Sequence, residues 1–266
     1  MAGTLAKLSC SLQKPGSKAA CRRYTRWELT TLFHPELHPF FEALGYVSGY
    51  LVYRCMRNRD GDALHDEHRW AVIAAAAVGA LIGARLLGLL EQAPRMGLHW
   101  NELLQPGGKT IVGGLLGGWI GVELLKPLMD VRSRTGDLFA LPICIGIAVG
   151  RIGCFFAGFA DDTYGTPTTL PWGVDFGDGV RRHPTQLYEF LFLTLLAWLL
   201  WRRLQRPHVE GQIFRIFLAA YLGWRLLIDF IKPQPTVAGM NMIQWACLAG
   251  LLLLGLVGLR RRTQNA

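Results

Sequence analysis

AVIAAAAVGALIGARLLGLL, Ala71 to Leu90, is apolar around most of a helix and lacks the alternation of a half-buried strand. About 20 such residues, coiled as a helix, cross a hydrocarbon core about 30 Å thick. CLAGLLLLGLVGL, Cys247 to Leu259, reads the same way, and comparable windows recur from Phe40 onward. The composition agrees: of 266 residues, 51% are hydrophobic and only 18% charged, with a mean hydropathy of +0.25. Such a chain is too apolar for an ordinary soluble domain, and the missing strand period argues against a barrel. The predicted fold class is an all-α polytopic membrane protein of about seven transmembrane helices around a central polar cavity.

Candidate spans run Pro39–Cys55, Trp70–Leu90, Ile111–Met129, Leu138–Ala160, Pro184–Trp201, Gln212–Ile231 and Met242–Leu259. Residues 1–38 form a polar, basic N-terminal segment without the apolar core of a cleavable signal, and residues 39–266 form the transmembrane domain. Cytoplasmic loops retain Lys and Arg. Arg54, Arg57, Arg59, Arg69, Lys126, Arg132, Arg134, Arg202, Arg203, Arg206 and Arg260 to Arg262 all fall on one side. The opposite loops hold chiefly Arg95, Lys109, Arg181, Arg182 and Lys232, partly balanced by Asp161, Asp162, Asp175 and Asp178. This predicts a cytoplasmic C-terminus, although the basic N-terminal segment opposes the outside N-terminus that seven spans require. The longest outer loop, Ala160 to His183, reads as ordered turns, with Trp172 and Phe176 as interface anchors.

The charge of +9 is explained by topology and anionic headgroups rather than by nucleic acid, since no aromatic and basic interleaving accompanies it. The six cysteines, at 10, 21, 55, 144, 154 and 247, form no CxxC pair and no Cys/His ligand spacing, so neither a metal site nor a disulfide framework is expected. No cofactor is called for. Serine-triad, HExxH and P-loop patterns are missing, which removes protease and nucleotide-hydrolase readings.

What remains is charge inside the spans. Arg151 lies in the fourth, while Arg225 and Asp229 lie in the sixth at i, i+4 spacing and can pair. An arginine at a helix centre costs about +2.5 to +3.5 kcal/mol on insertion scales, so such groups face polar surroundings and find partners. Two guanidinium groups converging on one place suit a phosphate with several oxygens. GKTIVGGLLGGWIG in the third span brings Gly113 and Gly114 with three further glycines, a pattern for close approach to a neighbouring helix or a ligand. RHPTQLYEF sets His183, Gln186, Tyr188 and Glu189 at the mouth of the fifth span, where Gln186 and Glu189 share a face. His183 has the chemistry of a base or phosphate ligand, against a plainer role in capping.

GRIGCFFAG, the turn ending Tyr164-Gly165, LPWGVDF, RHPTQLYE and YLGWRLLIDF resemble, in order, the signature blocks of the prolipoprotein diacylglyceryl transferase family, over about Phe40 to the C-terminus. The resemblance implies a bacterial inner-membrane enzyme. It would move diacylglyceryl from phosphatidylglycerol, or another anionic phospholipid, to the lipobox cysteine thiol in a prolipoprotein signal peptide and release glycerol phosphate. Arg151 and Arg225 match the family's signature arginines and would hold the lipid phosphate; Asp229 stands for an acidic residue and Gly165 for a functional glycine. Asp161 or Asp162 takes the place of an acidic residue after the first block.

Three positions depart from the family's pattern. Cys154 replaces an asparagine, Val112-Gly113-Gly114 replaces His-Gly-Gly, and Glu42-Ala43-Leu44 stands where Tyr-Gly-Leu begins the first span. With the histidine gone, Glu42 or His183 is expected to serve as base. Cys154, whose ordinary role is packing, becomes a nucleophile only if Arg151, three residues earlier on the same face, stabilises its thiolate. A phospholipid-binding homologue that has lost its base is the competing reading, with a transporter behind it.

Overall fold

A computed structural model describes residues 33–61, 66–96, 108–131 and 135–264. Most of the basic N-terminal segment, with Cys10 and Cys21, lies outside the described residues, as do Arg132 and Arg134. Among the described residues the chain is seven helices: α1 (Leu37–Asp60), α2 (Asp66–Met96), α3 (Ile111–Leu128), α4 (Asp137–Ala157), α5 (Thr185–Leu204), α6 (Gln212–Ile228) and α7 (Met242–Gln264). Each corresponds to one expected run. Charged and polar residues extend some helices beyond the apolar run, as at Arg57 and Arg59 in α1, whereas α4 and α6 stop short and pass into 3-10 turns at Gly158–Asp161 and Asp229–Ile231. Three segments, His68–Pro94, Ile111–Leu128 and Asp137–Asp161, are long and apolar enough to cross a membrane by length and composition.

Local chemistry sets the helix starts. Thr110 accepts from the Gly113 N–H at 3.2 Å and opens α3. Asn241 and Gln244 form a reciprocal capping box at the start of α7, with bonds of 2.7 and 2.9 Å, and the Gln244 amide also donates to the Leu226 carbonyl of α6. Asp137, in the first turn of α4, accepts from Gly211 and Phe214 N–H groups at 2.6 and 2.9 Å, so one carboxylate also caps α6. The α4 helix stops at Gly158, whose φ of +64° suits glycine, and a 3-10 turn runs to Asp161.

Glycines set the closest helix approaches. α2 and α3 cross backbone to backbone: a Cβ at Gly117 would lie 2.2 Å from the Gly79 carbonyl oxygen, and one at Gly113 2.3 Å from that of Gly83. A second seam joins α1 to α4, where a Cβ at Gly45 would lie 2.7 Å from the Gly146 oxygen. The apolar core lies among α3 to α7, with Leu193, Ile213, Phe217, Leu218, Tyr221 and Leu222 fully buried. Between α4 and α5 the outer loop folds into a hairpin, β1 (Val174–Asp175) against β2 (Arg181–Arg182), closed by Asp175 accepting from the N–H groups of Gly177 and Gly179. Burial alone would raise the Asp178 carboxyl, but hydrogen bonds led by that from Arg182 outweigh it and hold the group below the usual carboxylate range. Trp172 is exposed, as an interface anchor would be. Phe176 is not: it packs against Phe33, Phe155 and Tyr164, because the hairpin turns it inward.

Gly117→Ala is expected to lower the midpoint of thermal unfolding in detergent by several degrees, since overpacking of this kind costs about 1–3 kcal/mol. Gly255→Ala, in α7 with nothing within 4 Å of its new Cβ, is expected to leave the midpoint unchanged or slightly raised. Circular dichroism against temperature compares the two; equal midpoints would contradict the packing role of the α2–α3 seam.

Candidate active site: two buried arginines sharing Glu189

The α4, α5 and α6 helices bring their charged residues to one end of the bundle. Arg151 lies two turns before the end of α4, Glu189 in the first turns of α5, and Arg225 in the last turn of α6. Asp229 falls just past α6, in the 3-10 turn Asp229–Ile231, rather than inside a regular span. All four side chains are buried. The Glu189 carboxylate joins the arginines: Oε1 is 2.9 Å from Arg151 Nη2, and Oε2 is 3.9 Å from Arg225 Nη1. Arg225 Nη2 also faces both Asp229 oxygens at 3.0 and 3.1 Å, the i, i+4 pair expected from the sequence. Tyr221 donates its hydroxyl to Glu189 Oε1 at 2.7 Å, and Lys232 Nζ lies 3.5 Å from Asp229 Oδ1. Glu91 of α2 lies within electrostatic reach of Arg225, Asp229 and Lys232.

Alternating signs let these groups be buried, because the desolvation of each ion is offset only where partners stand in contact. The ion pairs do not use every donor. Arg151 Nε, Arg225 Nε and both amide atoms of Gln186, which is 1% exposed, are buried without a protein partner. Unpaired buried donors on two guanidinium groups are chemically matched to phosphate oxygens.

The other expected residues divide. Gln186 and Glu189 share the buried face of α5. His183 Nδ1 lies 3.2 Å from the Tyr188 hydroxyl, which also accepts from Trp172 Nε1 at 2.8 Å, so these side chains tie the outer loop to α5. Gly165 is held where a Cβ would fall 2.7 Å from that of His183, and its neighbour Thr166 donates to the Ile231 carbonyl beside the charged centre. Gly113 packs against Gly83, whereas Gly114 is less crowded, with Ala80 and Ala84 at 3.8 Å. Glu42 stands on an exposed face of α1 and accepts from Tyr46, and Val112 is fully buried in the apolar core. Cys154 lies one turn beyond Arg151, with its Sγ 3.8 Å from Arg151 Nη1 and 3.7 Å from His38 Nε2.

Three neighbours of the centre were not singled out in the sequence. Tyr221 reads as one more apolar residue of α6, though its hydroxyl one turn before Arg225 was the available signal. Lys232 reads as a loop charge, and His38 as the last residue of the N-terminal segment.

The model of the family described as prolipoprotein diacylglyceryl transferase matches residues 32–260. Among curated relatives, the phosphatidylglycerol–prolipoprotein diacylglyceryl transferase of Bordetella parapertussis is 34% identical over 199 residues, covering 68% of this chain and 73% of its own length. That of Geobacter sulfurreducens is 33% identical over 211 residues, covering 74% and 77%, and that of Cupriavidus pinatubonensis is 29% identical over 255 residues, covering 84% and 90%. The match reaches from before α1 into α7 and takes in every residue of the charged centre, so the chain belongs to the prolipoprotein diacylglyceryl transferase family.

Proposed function

We propose that this protein transfers diacylglyceryl from phosphatidylglycerol to the cysteine thiol of a lipoprotein precursor and releases glycerol phosphate. The observation that carries the reading is the pair of buried guanidinium groups, held by one carboxylate and retaining unpaired donors. Family membership gives the reaction class, and the names of the relatives give the lipid. As the bond between the diacylglyceryl carbon and the phosphate oxygen breaks, its electron pair moves onto the leaving phosphate. Arg151 and Arg225 stabilise that charge where little water screens it. Asp229 orients Arg225, Glu189 fixes the spacing of the two arginines, and Gln186 supplies further polar atoms. The hairpin loop, tied to the centre through Gly165 and Thr166, contacts the acceptor peptide, with His183 and Tyr188 at its base.

The seven helices are taken as seven spans of the bacterial inner membrane. The arginines at the C-terminal ends of α1 and α5 and Lys126 near the end of α3 support a cytoplasmic face opposite the charged centre, with the C-terminus on that face.

Purified protein in phosphatidylglycerol micelles with a lipobox peptide is expected to release glycerol phosphate, and Arg151→Ala to reduce the rate by about 100-fold or more. Arginine-dependent lipid binding without turnover by any lipobox peptide would instead favour a binding protein. Glu189→Gln leaves two buried guanidinium groups short of a counter-charge and is expected to destabilise the fold by about 3–5 kcal/mol, against about 1.5–3 kcal/mol for Tyr221→Phe. Thermal unfolding of both variants in one detergent checks the order; a smaller effect for Glu189→Gln would contradict the bridging role.

A further inference from the structure

Beside Arg151, three side chains distant in sequence turn donor atoms toward one point. His38 Nε2 from the first turn of α1, Cys154 Sγ from α4 and an Asp161 carboxylate oxygen from the turn after α4 all lie within 4.8 Å of one another. The His38 Nε2 to Asp161 Oδ1 distance is 3.3 Å and the His38 Nε2 to Cys154 Sγ distance is 3.7 Å. Around a tetrahedral zinc, ordinary bond lengths put nitrogen and oxygen ligands about 3.3 Å apart and nitrogen and sulfur ligands about 3.5 Å apart. Two of the three edges therefore have the dimensions of a zinc site, and the third, from Cys154 Sγ to Asp161, is no longer than 4.8 Å.

A Cys–His–Asp proton relay has a different geometry. In a relay the thiol meets one ring nitrogen and the carboxylate the other, whereas here both face Nε2 of His38. The surroundings also suit a metal. Thr163 donates its hydroxyl to Asp161 Oδ2, which leaves Oδ1 toward the cluster, as ligating carboxylates are commonly held. Arg151 lies 3.8 Å from the thiol but is already matched by Glu189 at 2.9 Å, so a Cys154 thiolate with Asp161 calls for further positive charge. The His38 side chain is 35% exposed and that of Asp161 12%, which gives an ion a way in. Gly153 makes the approach of α1 possible, since a Cβ there would fall 2.6 Å from Phe41 Cβ and 3.4 Å from the His38 carbonyl oxygen.

We propose that His38, Cys154 and Asp161 form a zinc site whose fourth position takes the acceptor thiol. Nitrogen, thiolate and carboxylate ligands select zinc over magnesium or calcium, and three protein ligands with one open position is the pattern of a catalytic zinc. The second half of the inference rests on the reaction proposed above. A thiol bound to the metal gives its proton to water and remains as thiolate. Its sulfur lone pair then forms the bond to the diacylglyceryl carbon as the carbon–oxygen bond to phosphate breaks, and glycerol phosphate leaves with that electron pair.

The test uses the full chain in detergent, stripped with a chelator, dialysed and titrated with zinc or cobalt. One equivalent of cobalt is expected to produce a cobalt–thiolate charge-transfer band. Cys154→Ser should abolish that band, His38→Ala and Asp161→Asn should weaken zinc affinity at least tenfold, and Cys55→Ser should change neither. Adding a lipobox peptide should intensify the band, and its Cys→Ser version should not. Absence of the band in the wild type, or its persistence in Cys154→Ser, overturns the site; peptide without effect on the band overturns the thiol position. Stoichiometric zinc without glycerol phosphate release would support the site while counting against the transferase reading. Full turnover by metal-free enzyme would support the transferase reading and overturn the thiol position at the metal.

Discussion

The charged end of this bundle depends on the Glu189 carboxylate standing between Arg151 and Arg225. Each guanidinium group removed from water costs several kcal/mol, and two side by side would add repulsion. Glu189 converts that repulsion into two attractions, and Asp229 with Lys232 continues the alternation past Arg225. Because the partners come from α4, α5 and the end of α6, the network also fixes how these helices meet.

The helices were legible because an apolar run that satisfies its own backbone as a helix announces itself by length and apolar content. Arg151, Arg225 and Asp229 were legible for the complementary reason, since a charge in an apolar run needs a partner. Glu189 was visible by its spacing from Gln186, yet no spacing could show that its carboxylate joins arginines 38 residues before and 36 residues after it. Lys232 and His38 were missed because each sits where the apolar run gives way to polar chain, and there a charge or a histidine is ordinary. The sequence held no Cys/His ligand spacing because the three donors come from the start of α1 and the end of α4, with His38 and Cys154 116 residues apart.

The glycines sort by what touches them. Those of α2 and α3 face one another, which explains the dense run in the third span as packing. Gly153 of α4 and Gly165 of the outer loop serve the site, the first by admitting the start of α1 beside Cys154 and the second by fitting the loop against His183 and Ile231. The same residue type therefore carries two meanings, distinguished by whether the close approach it allows lies along a helix seam or beside the charged centre.

The two departures from the family pattern inside the bundle also fit together physically. At position 112 a buried valine continues the apolar core, so that side chain supplies no proton acceptor at the start of α3. At position 154 a thiol appears three residues after Arg151, and α-helical spacing keeps it on the face of the guanidinium, at 3.8 Å, however the loops move. A metal held at Cys154 stays in register with the group proposed to bind phosphate, because both hang from adjacent turns of one helix. A thiol bound at the proposed metal would thus be held one turn of α4 from Arg151, which fixes the separation between the attacking sulfur and the departing phosphate.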